Sequence, residues 1–404
     1  MLVFRMAWRN VWRNPRRTGI VLTAVTIGIA GALLSMSVNY GMIYQMVDTA
    51  IATDLGHLQI HAPGFDHDPA LRVRLADGGR AATDVLEDLE GVLAWAPRVR
   101  GEGLVTSPRA SVGVRLVGID PEREARVSLV AGSITQGRYL DDGGRRVVIG
   151  EELARRLAVE LGDKIVVSAQ DLAGDLNGQA MRVGGLFRSP SRDLDRNTVF
   201  LRVEQAQELL GLDRAIAEIV VIADARSRVA ALRGALEARL PDLEVRSWDQ
   251  LQPLLVYMVD FAEEAAVLVY LAIFVAMAFG IANVLLMAVF ERVREIGVMM
   301  AVGLSRRRLV VTIIAESIVV TFIGVILGFT VALVTVAALQ DGIDLSYFSE
   351  GLTAYGIGER IVPVLRVEDF TLPGAVALVT AAVASAWPAL RAVRLRPAEA
   401  VRQT

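Results

Sequence analysis

The sequence predicts an α-helical membrane protein with four transmembrane helices in a 1+3 arrangement and one large mixed α/β extracytoplasmic domain. Of its 404 residues, 53% are hydrophobic and only 22% charged, an apolar excess for a globular chain. Four apolar runs approach or exceed the roughly 20 residues that a helix needs to cross about 30 Å of hydrocarbon. A long stretch of ordinary soluble composition separates the first run from the other three.

The elements follow in chain order. Residues 1–19 form a basic segment, and residues 20–40 form the first span. That run is longer than the 7–15 residue core of a secretory signal, and its polar end, Ser35 to Tyr40, offers no small-x-small cleavage site. It is expected to stay as an anchor. Residues 41–264 read as the outer domain, long enough to bury a core of its own. Strand patterns lie at Val112–Ile119, Val147–Ile149 and Ile165–Val167, with a helix over Glu151–Leu161 closed by Gly162-Asp163. A second strand, helix, strand passage runs through Glu218–Ile222, Ser227–Leu240 and Val245, so two small subdomains are expected. The remaining spans are 265–290, 309–339 and 372–390, joined by a link at 291–308 and a loop at 340–371 and followed by a tail at 391–404. Some order is expected in so long a loop.

Orientation is read from arginine in the short flanks, because positive charge beside a span resists translocation. Arg5, Arg9, Arg13, Arg16 and Arg17 precede the first span; Arg292, Arg294, Arg306, Arg307 and Arg308 fill the 291–308 link; Arg391, Arg394, Arg396 and Arg402 follow the last span. The 340–371 loop carries Arg360 and Arg366 against Asp341, Asp344, Glu350, Glu359, Glu368 and Asp369. Both termini and the 291–308 link are therefore expected inside, with the loop and the large domain outside. Each basic cluster abuts a span, so topology and lipid headgroups account for it without nucleic acid.

The chain has no cysteine, which removes disulfides, thiolate metal sites and cysteine nucleophiles. The only lysine is Lys164, in a Gly-Asp-Lys-Ile context, so a conventional P-loop is not expected. His57 and His61 would share a face of an extended strand and make a metal site geometrically conceivable; the turn at Pro63-Gly64 separates them from His67, and a polar strand is the preferred reading. No paired-carboxylate, Ser-His-Asp or zinc-protease pattern is found in the outer domain, which reads as a docking module rather than an enzyme.

Three membrane-proximal features stand out. The apolar positions Val293, Ile296, Val298, Met299 and Val302 fit a short helix lying at the membrane surface, and a plain charged connector fits them equally. Glu316 is a carboxylate inside a span, where ionisable groups are costly and usually paired or functional. A structural partner is preferred over a proton relay. Gly324 and Gly328 form a G-x-x-x-G face suited to close helix approach, within the subunit or across a dimer.

The 291–308 link resembles the R-x-x-E-I-G-x-x-x-A-x-G segment of the MacB, LolC/LolE and FtsX family of ABC permeases. Arg292, Glu295, Ile296, Gly297, Ala301 and Gly303 match it, while Met300 stands where the family commonly has Lys or Arg. Span three, with Glu316, Gly324 and Gly328, is similar to the family's E-x7-G-x3-G pattern; Pro388-Ala389 to Ala392 and Pro397 to Arg402 resemble its closing motifs. Val148 to Ala154, followed by Leu161 to Lys164, is similar to a segment of MacB-type periplasmic domains, and Ala7-Trp8-Arg9-Asn10 with Asn14-Pro15-Arg16-Arg17 resembles these permeases, most of all the LolE-like branch.

The resemblance implies a bacterial inner-membrane permease with a MacB-type periplasmic domain, whose 291–308 link is a cytoplasmic coupling helix docking on an ATPase. It implies ATP and Mg on a partner ABC ATPase dimer and no cofactor in this chain. A second permease copy or a related permease, membrane lipid, and a periplasmic carrier or adaptor complete the expected partners. Lipoprotein release or export of a hydrophobic cargo is the first functional expectation. The alternatives are a MacB-like efflux engine, whose relatives usually carry the ATPase fused ahead of span one, and an FtsX-like regulator of a periplasmic cell-wall hydrolase.

Overall fold

The computed structural model describes residues 8–9, 12–13, 15–65, 74–141, 144–291, 294–295, 298, 300, 302–348, 351, 358 and 360–394. Two compact units result. One gathers residues 1–43, 258–344 and 361–404; the other gathers 44–257 and 345–360.

In the first unit, four helices among the described residues are long and apolar enough to cross a membrane: Pro15–Ala50, Pro253–Glu291, Arg306–Ala338 and Glu368–Arg394. Their shared core joins Val25, Ile29 and Leu33 of the first helix to Phe274 and Ile281 of the second, Val320 and Ala332 of the third, and Ala377 and Ala381 of the fourth. Small residues let the backbones close up: a Cβ on Gly28 would stand 3.7 Å from Ile273, and one on Gly374 would stand 3.1 Å from the Phe329 ring. Phe329 in turn meets Phe370 edge-on at 5.1 Å.

Several helix ends differ from the sequence expectation. The first helix, Pro15–Ala50, continues past the apolar run at 20–40, and the second, Pro253–Glu291, begins ahead of the run at 265–290. Hydropathy marks the apolar part of a helix, whereas the helix itself continues for as long as its backbone hydrogen bonds do. Part of the 340–371 loop is ordered against the first helix: Val364 N–H donates to the Ser37 carbonyl at 2.9 Å, and a Cβ on Gly41 would stand 2.2 Å from the Val362 carbonyl oxygen.

The second unit is built on ten strands: β1 Leu58–His61, β2 Val92–Thr106, β3 Ser111–Ile119, β4 Ile134–Gly137, β5 Arg146–Gly150, β6 Lys164–Gln170, β7 Leu176–Phe187, β8 Thr198–Arg202, β9 Glu218–Ala223 and β10 Glu244–Ser247. They run β10-β1-β9-β2-β3-β8-β5-β7-β4, and β6 bridges β7 back to β2. The strands β2, β3, β8, β5, β7 and β6 therefore close a ring, while β10, β1, β9 and β2 make an antiparallel sheet. Full closure removes the unpaired edges that an open sheet exposes.

The two subdomains expected from sequence are thus one continuous sheet, hinged on a single long strand. The first half of β2 pairs with β9 through Val92 to Arg98; its second half pairs with β3 through Arg98 to Thr106 and with β6 through Gly103 to Thr106. A common core fills both parts, from Leu58 and Ile60 through Val105 and Leu116 to Val147, Val167 and Leu201. A smaller cluster, Val117, Ile119, Val148, Phe187 and Phe200, fills the opposite face.

Candidate functional site

Three places carry the functional side chains. In the membrane unit, Gly324 and Gly328 face the first helix: a Cβ on Gly324 would meet Val25 Cγ1 at 2.7 Å, and one on Gly328 would meet Ile29 Cβ at 2.8 Å. The G-x-x-x-G face is used within the subunit. One turn of packing removed, Thr26 Oγ1 donates to the Gly324 carbonyl at 3.4 Å. Glu316 is buried on the same helix beside a cavity of about 20 Å³ lined by Thr18, Val21, Ile281, Leu285, Ser317 and Val320. Its lining is mostly apolar, with Thr18, Glu316 and Ser317 the polar side chains on it. Ser317 Oγ also donates to the Ala381 carbonyl at 3.4 Å, so one turn of the third helix reaches both the first and the fourth.

The second place is the link after Glu291. Of the residues matched to the coupling segment, Arg292, Ile296, Gly297 and Ala301 lie outside the described residues; Glu295 and Gly303 are described. Glu295, half-exposed, pairs with Arg13 of the basic N-terminal segment. Arg13 follows Trp8 and Trp12, whose rings meet edge-on at 5.9 Å. Gly303 sits at φ +100 with open space around it, so the left-handed turn, not crowding, is what asks for glycine there. Its N–H donates to the Met300 carbonyl at 3.1 Å, and Ser305 then opens the third span helix. Met300 and Leu304 pack against Val289, Leu309, Ala392 and Val393. An apolar residue at 300 thus joins the link to the helix ends.

The third place, in the second unit, was not singled out from sequence. The first helix ends in one π-helical turn, Ile51–Leu55, and its last carbonyls are received by side chains and backbone of the sheet domain. Arg98 is 1% exposed; its Nε and Nη2 grip both oxygens of buried Glu124 at 3.0 and 2.7 Å, and its Nη1 donates to the Asp54 carbonyl at 2.5 Å. Arg100 donates to Asp54 Oδ1 and to Glu218 Oε1, each at 2.7 Å. Gln59 Nε2 donates to the Leu55 carbonyl at 3.0 Å, and Leu129 N–H to the Ala52 carbonyl at 2.9 Å. The Arg100 and Arg98 guanidiniums thus both face the Asp54 carboxylate, Arg100 at 2.7 Å and Arg98 at 4.0 Å. The sequence signal for this cluster was two arginines, at 98 and 100, following the apolar run Val92–Pro97.

His57 and His61 are placed in the same unit and serve the sheet. His57 Nδ1 accepts the Ala223 N–H at 3.2 Å; His61 is buried, stacks on Phe65 at 3.7 Å and shares a 3.0 Å hydrogen bond with Gln59. Among the described residues no group of three or more His, Asp or Glu side chains is gathered as for a metal ion. Lys164, the one lysine in the sequence, lies exposed on β6.

Residues 18–239 match the family described as MacB-like periplasmic core domain, and residues 266–397 match FtsX-like permease C-terminal. The lipoprotein-releasing system transmembrane protein LolC of Neisseria meningitidis is 24% identical over 78% of this chain and 79% of its own length. LolC of Xylella fastidiosa is 24% identical over 96% of each chain. The macrolide export ATP-binding/permease protein MacB of Nitrobacter winogradskyi is 24% identical over 98% of this chain and 59% of its own length. LolC and MacB relatives do not single out the LolE-like branch within this group. With its outer body matching one domain and its three later helices the other, the chain belongs to the ABC-transporter permease family defined by a MacB-like periplasmic core domain and an FtsX-like permease C-terminal region.

Proposed function

We propose that this permease transmits conformational change driven by ATP on a separate cytoplasmic ATPase dimer to its periplasmic domain, in lipoprotein release or export of a hydrophobic cargo. The observation that carries the reading is a match to LolC along nearly the whole chain, outer domain and membrane helices together. ATP and Mg belong on the partner, because the chain's residues do not fit a nucleotide: its single lysine sits on an outer strand. The link from Arg292 to Gly303 is the surface for that ATPase, with Glu295 and Gly303 shaping it. A second copy, or a related permease, supplies the other half. The arginine flanks support a topology with both termini cytoplasmic and the sheet domain periplasmic, in a bacterial inner membrane.

A MacB-like efflux role is the second reading, favoured by the match of 98% of this chain to the permease-containing part of MacB. An FtsX-like regulator that activates a periplasmic hydrolase is the third. Affinity purification of the full chain from its native membrane, followed by mass spectrometry, separates them. An ATPase with lipoprotein and a periplasmic carrier supports lipoprotein release. An ATPase with an adaptor and outer-membrane duct supports efflux, and an ATPase with a cell-wall hydrolase supports the regulator. Recovery of one permease type indicates a homodimer. Absence of any ATPase overturns all three.

A further inference from the structure

A helix leaves its last four carbonyls without intrahelical partners, and its C-terminal end carries about half a negative charge. The helix that begins at Pro15 ends inside the outer unit, and that end is taken up by other elements one carbonyl at a time. The Ala52 carbonyl accepts from Leu129 N–H at 2.9 Å, that of Asp54 from Arg98 and Arg100 at 2.5 and 3.4 Å, and that of Leu55 from Gln59 at 3.0 Å. Gly56 closes the turn onto the Ile51 carbonyl at 2.9 Å with φ +64; a Cβ there would stand 2.3 Å from Val220 Cγ1. No side chain larger than hydrogen fits the socket.

The arginines are themselves held from behind. Glu124 comes from the helix Pro121–Val127 and Glu218 from β9, while Arg98 stands where β2 passes from one half of the sheet to the other. Two cations and the three carboxylates Asp54, Glu124 and Glu218 are thus locked around one helix end.

We propose that Arg98 and Arg100, with Gln59, are positioning residues that make the π-helical end of the first span helix a stiff joint, through which movement of that helix reaches the outer sheet. The inference rests on the reading of the chain as a transmitter. Buried ion pairs contribute little net stability against apolar replacements, so a cluster of five charged groups is better explained by what it holds in place than by stabilisation. Charge-assisted hydrogen bonds to a helix end resist both pulling and rotation because the guanidinium fork fixes direction as well as distance.

The test uses the full chain in detergent. Arg98→Met alone strands the Glu124 charge, so Arg98→Met is combined with Glu124→Leu, which fills the place of that one ion pair with apolar side chains. Amide hydrogen exchange over Ile51–Gly56 is expected to accelerate roughly tenfold or more, the cost of lost hydrogen bonds to a charged group, while β3 and β8 keep their protection. If the pair does not fold, Gln59→Leu and Arg98→Lys carry the same measurement, with the lysine variant expected to stay nearer the parent. Unchanged exchange over Ile51–Gly56 overturns the joint.

Transmission is read separately in the complex purified with its ATPase. The absence of native cysteine lets spin labels be placed at Ile27→Cys and Asp84→Cys, and the distance between them is compared without nucleotide and with ATP plus vanadate. The joint predicts that the double variant keeps hydrolysing ATP while the nucleotide-driven distance change shrinks. A full-sized change in the variant overturns the joint. No change in the parent protein overturns the transmitter reading, and the exchange result then decides the joint alone.

Discussion

Gly324 and Gly328 are defined by what stands opposite them. Because Val25 and Ile29 already lie within 3 Å of where a Cβ would be, Gly324→Ala or Gly328→Ala must separate the first and third helices or force side chains off their rotamers. Overpacking of this kind costs about 1–3 kcal/mol. Gly280, with nothing within 4 Å, is the internal control. Thermal unfolding in detergent is expected to show a lowered midpoint for either packed glycine and none for Gly280→Ala; equal midpoints would remove the glycine face from the account.

Asp195 gives a pH-dependent prediction at the same scale. It is buried near the Gly150 backbone and accepts from Ser189 N–H at 3.0 Å and Ser189 Oγ at 2.6 Å. Burial nonetheless pushes its pKa up, to about 6. A carboxyl raised in the folded state favours folding below its unfolded pKa, near 3.8, and that contribution is lost as pH rises through 6. Asp195→Asn keeps an acceptor oxygen and removes the charge. The variant is therefore expected to be more stable than the parent at pH 7 to 8 and indistinguishable from it below about pH 4, as followed by thermal unfolding across that range.

At the scale of elements, the link after Glu291 is braced from two sides, by Met300 and Leu304 in the apolar cluster and by the Arg13 pair on Glu295. Exposed ion pairs contribute about 0.2–1 kcal/mol, so this pair matters for where the link lies more than for stability. Arg13→Glu and Glu295→Arg are each expected to lower ATP-driven activity of the reconstituted complex with little change in unfolding temperature, and the two together are expected to restore part of it. Additive losses in the double variant would show that the two side chains act apart.

The elements were legible in sequence to different degrees, and the differences have causes. The four spans announced themselves because hydrocarbon demands long apolar runs, and β3, β5 and β9 because their apolar residues stand in short runs bounded by turns. The predicted helix over Glu151–Leu161 stops at Leu157, since Ala158 turns left-handed at φ 52 and hands the apolar Val159 to the core by another route. Closure of the sheet through β6 was illegible because β6, besides its hairpin neighbour β7, must pair with β2 far back in the chain. The buried joint was illegible for the same reason: Arg98 finds Glu124 26 residues on, while Arg100 reaches 118 residues forward to Glu218 and 46 back to Asp54. Four of the six coupling-segment residues, Arg292, Ile296, Gly297 and Ala301, lie outside the described residues.

For the whole molecule, the orientation argument has a direct test, made clean by the absence of cysteine. Positive charge beside a span is retained on the cytoplasmic side, and the flanks at Arg13 and Arg16, at Arg306 to Arg308 and at Arg391 agree on one arrangement. Large domains cross regardless of their charge, so the outer unit contributes nothing to that vote and must follow it. Single cysteines at exposed Asp84, Tyr347 and Ser305 report the outer domain, the 340–371 loop and the link before the third helix in turn. In intact spheroplasts a membrane-impermeant maleimide is expected to label Asp84→Cys and Tyr347→Cys at once, and Ser305→Cys only after the membrane is opened. The three outcomes are tied together, because among the described residues one span lies between Asp84 and Ser305 and one between Ser305 and Tyr347. Labelling of Ser305→Cys in sealed spheroplasts, with Asp84→Cys protected, would invert the molecule and leave the ATPase on the wrong side of the membrane from its coupling segment.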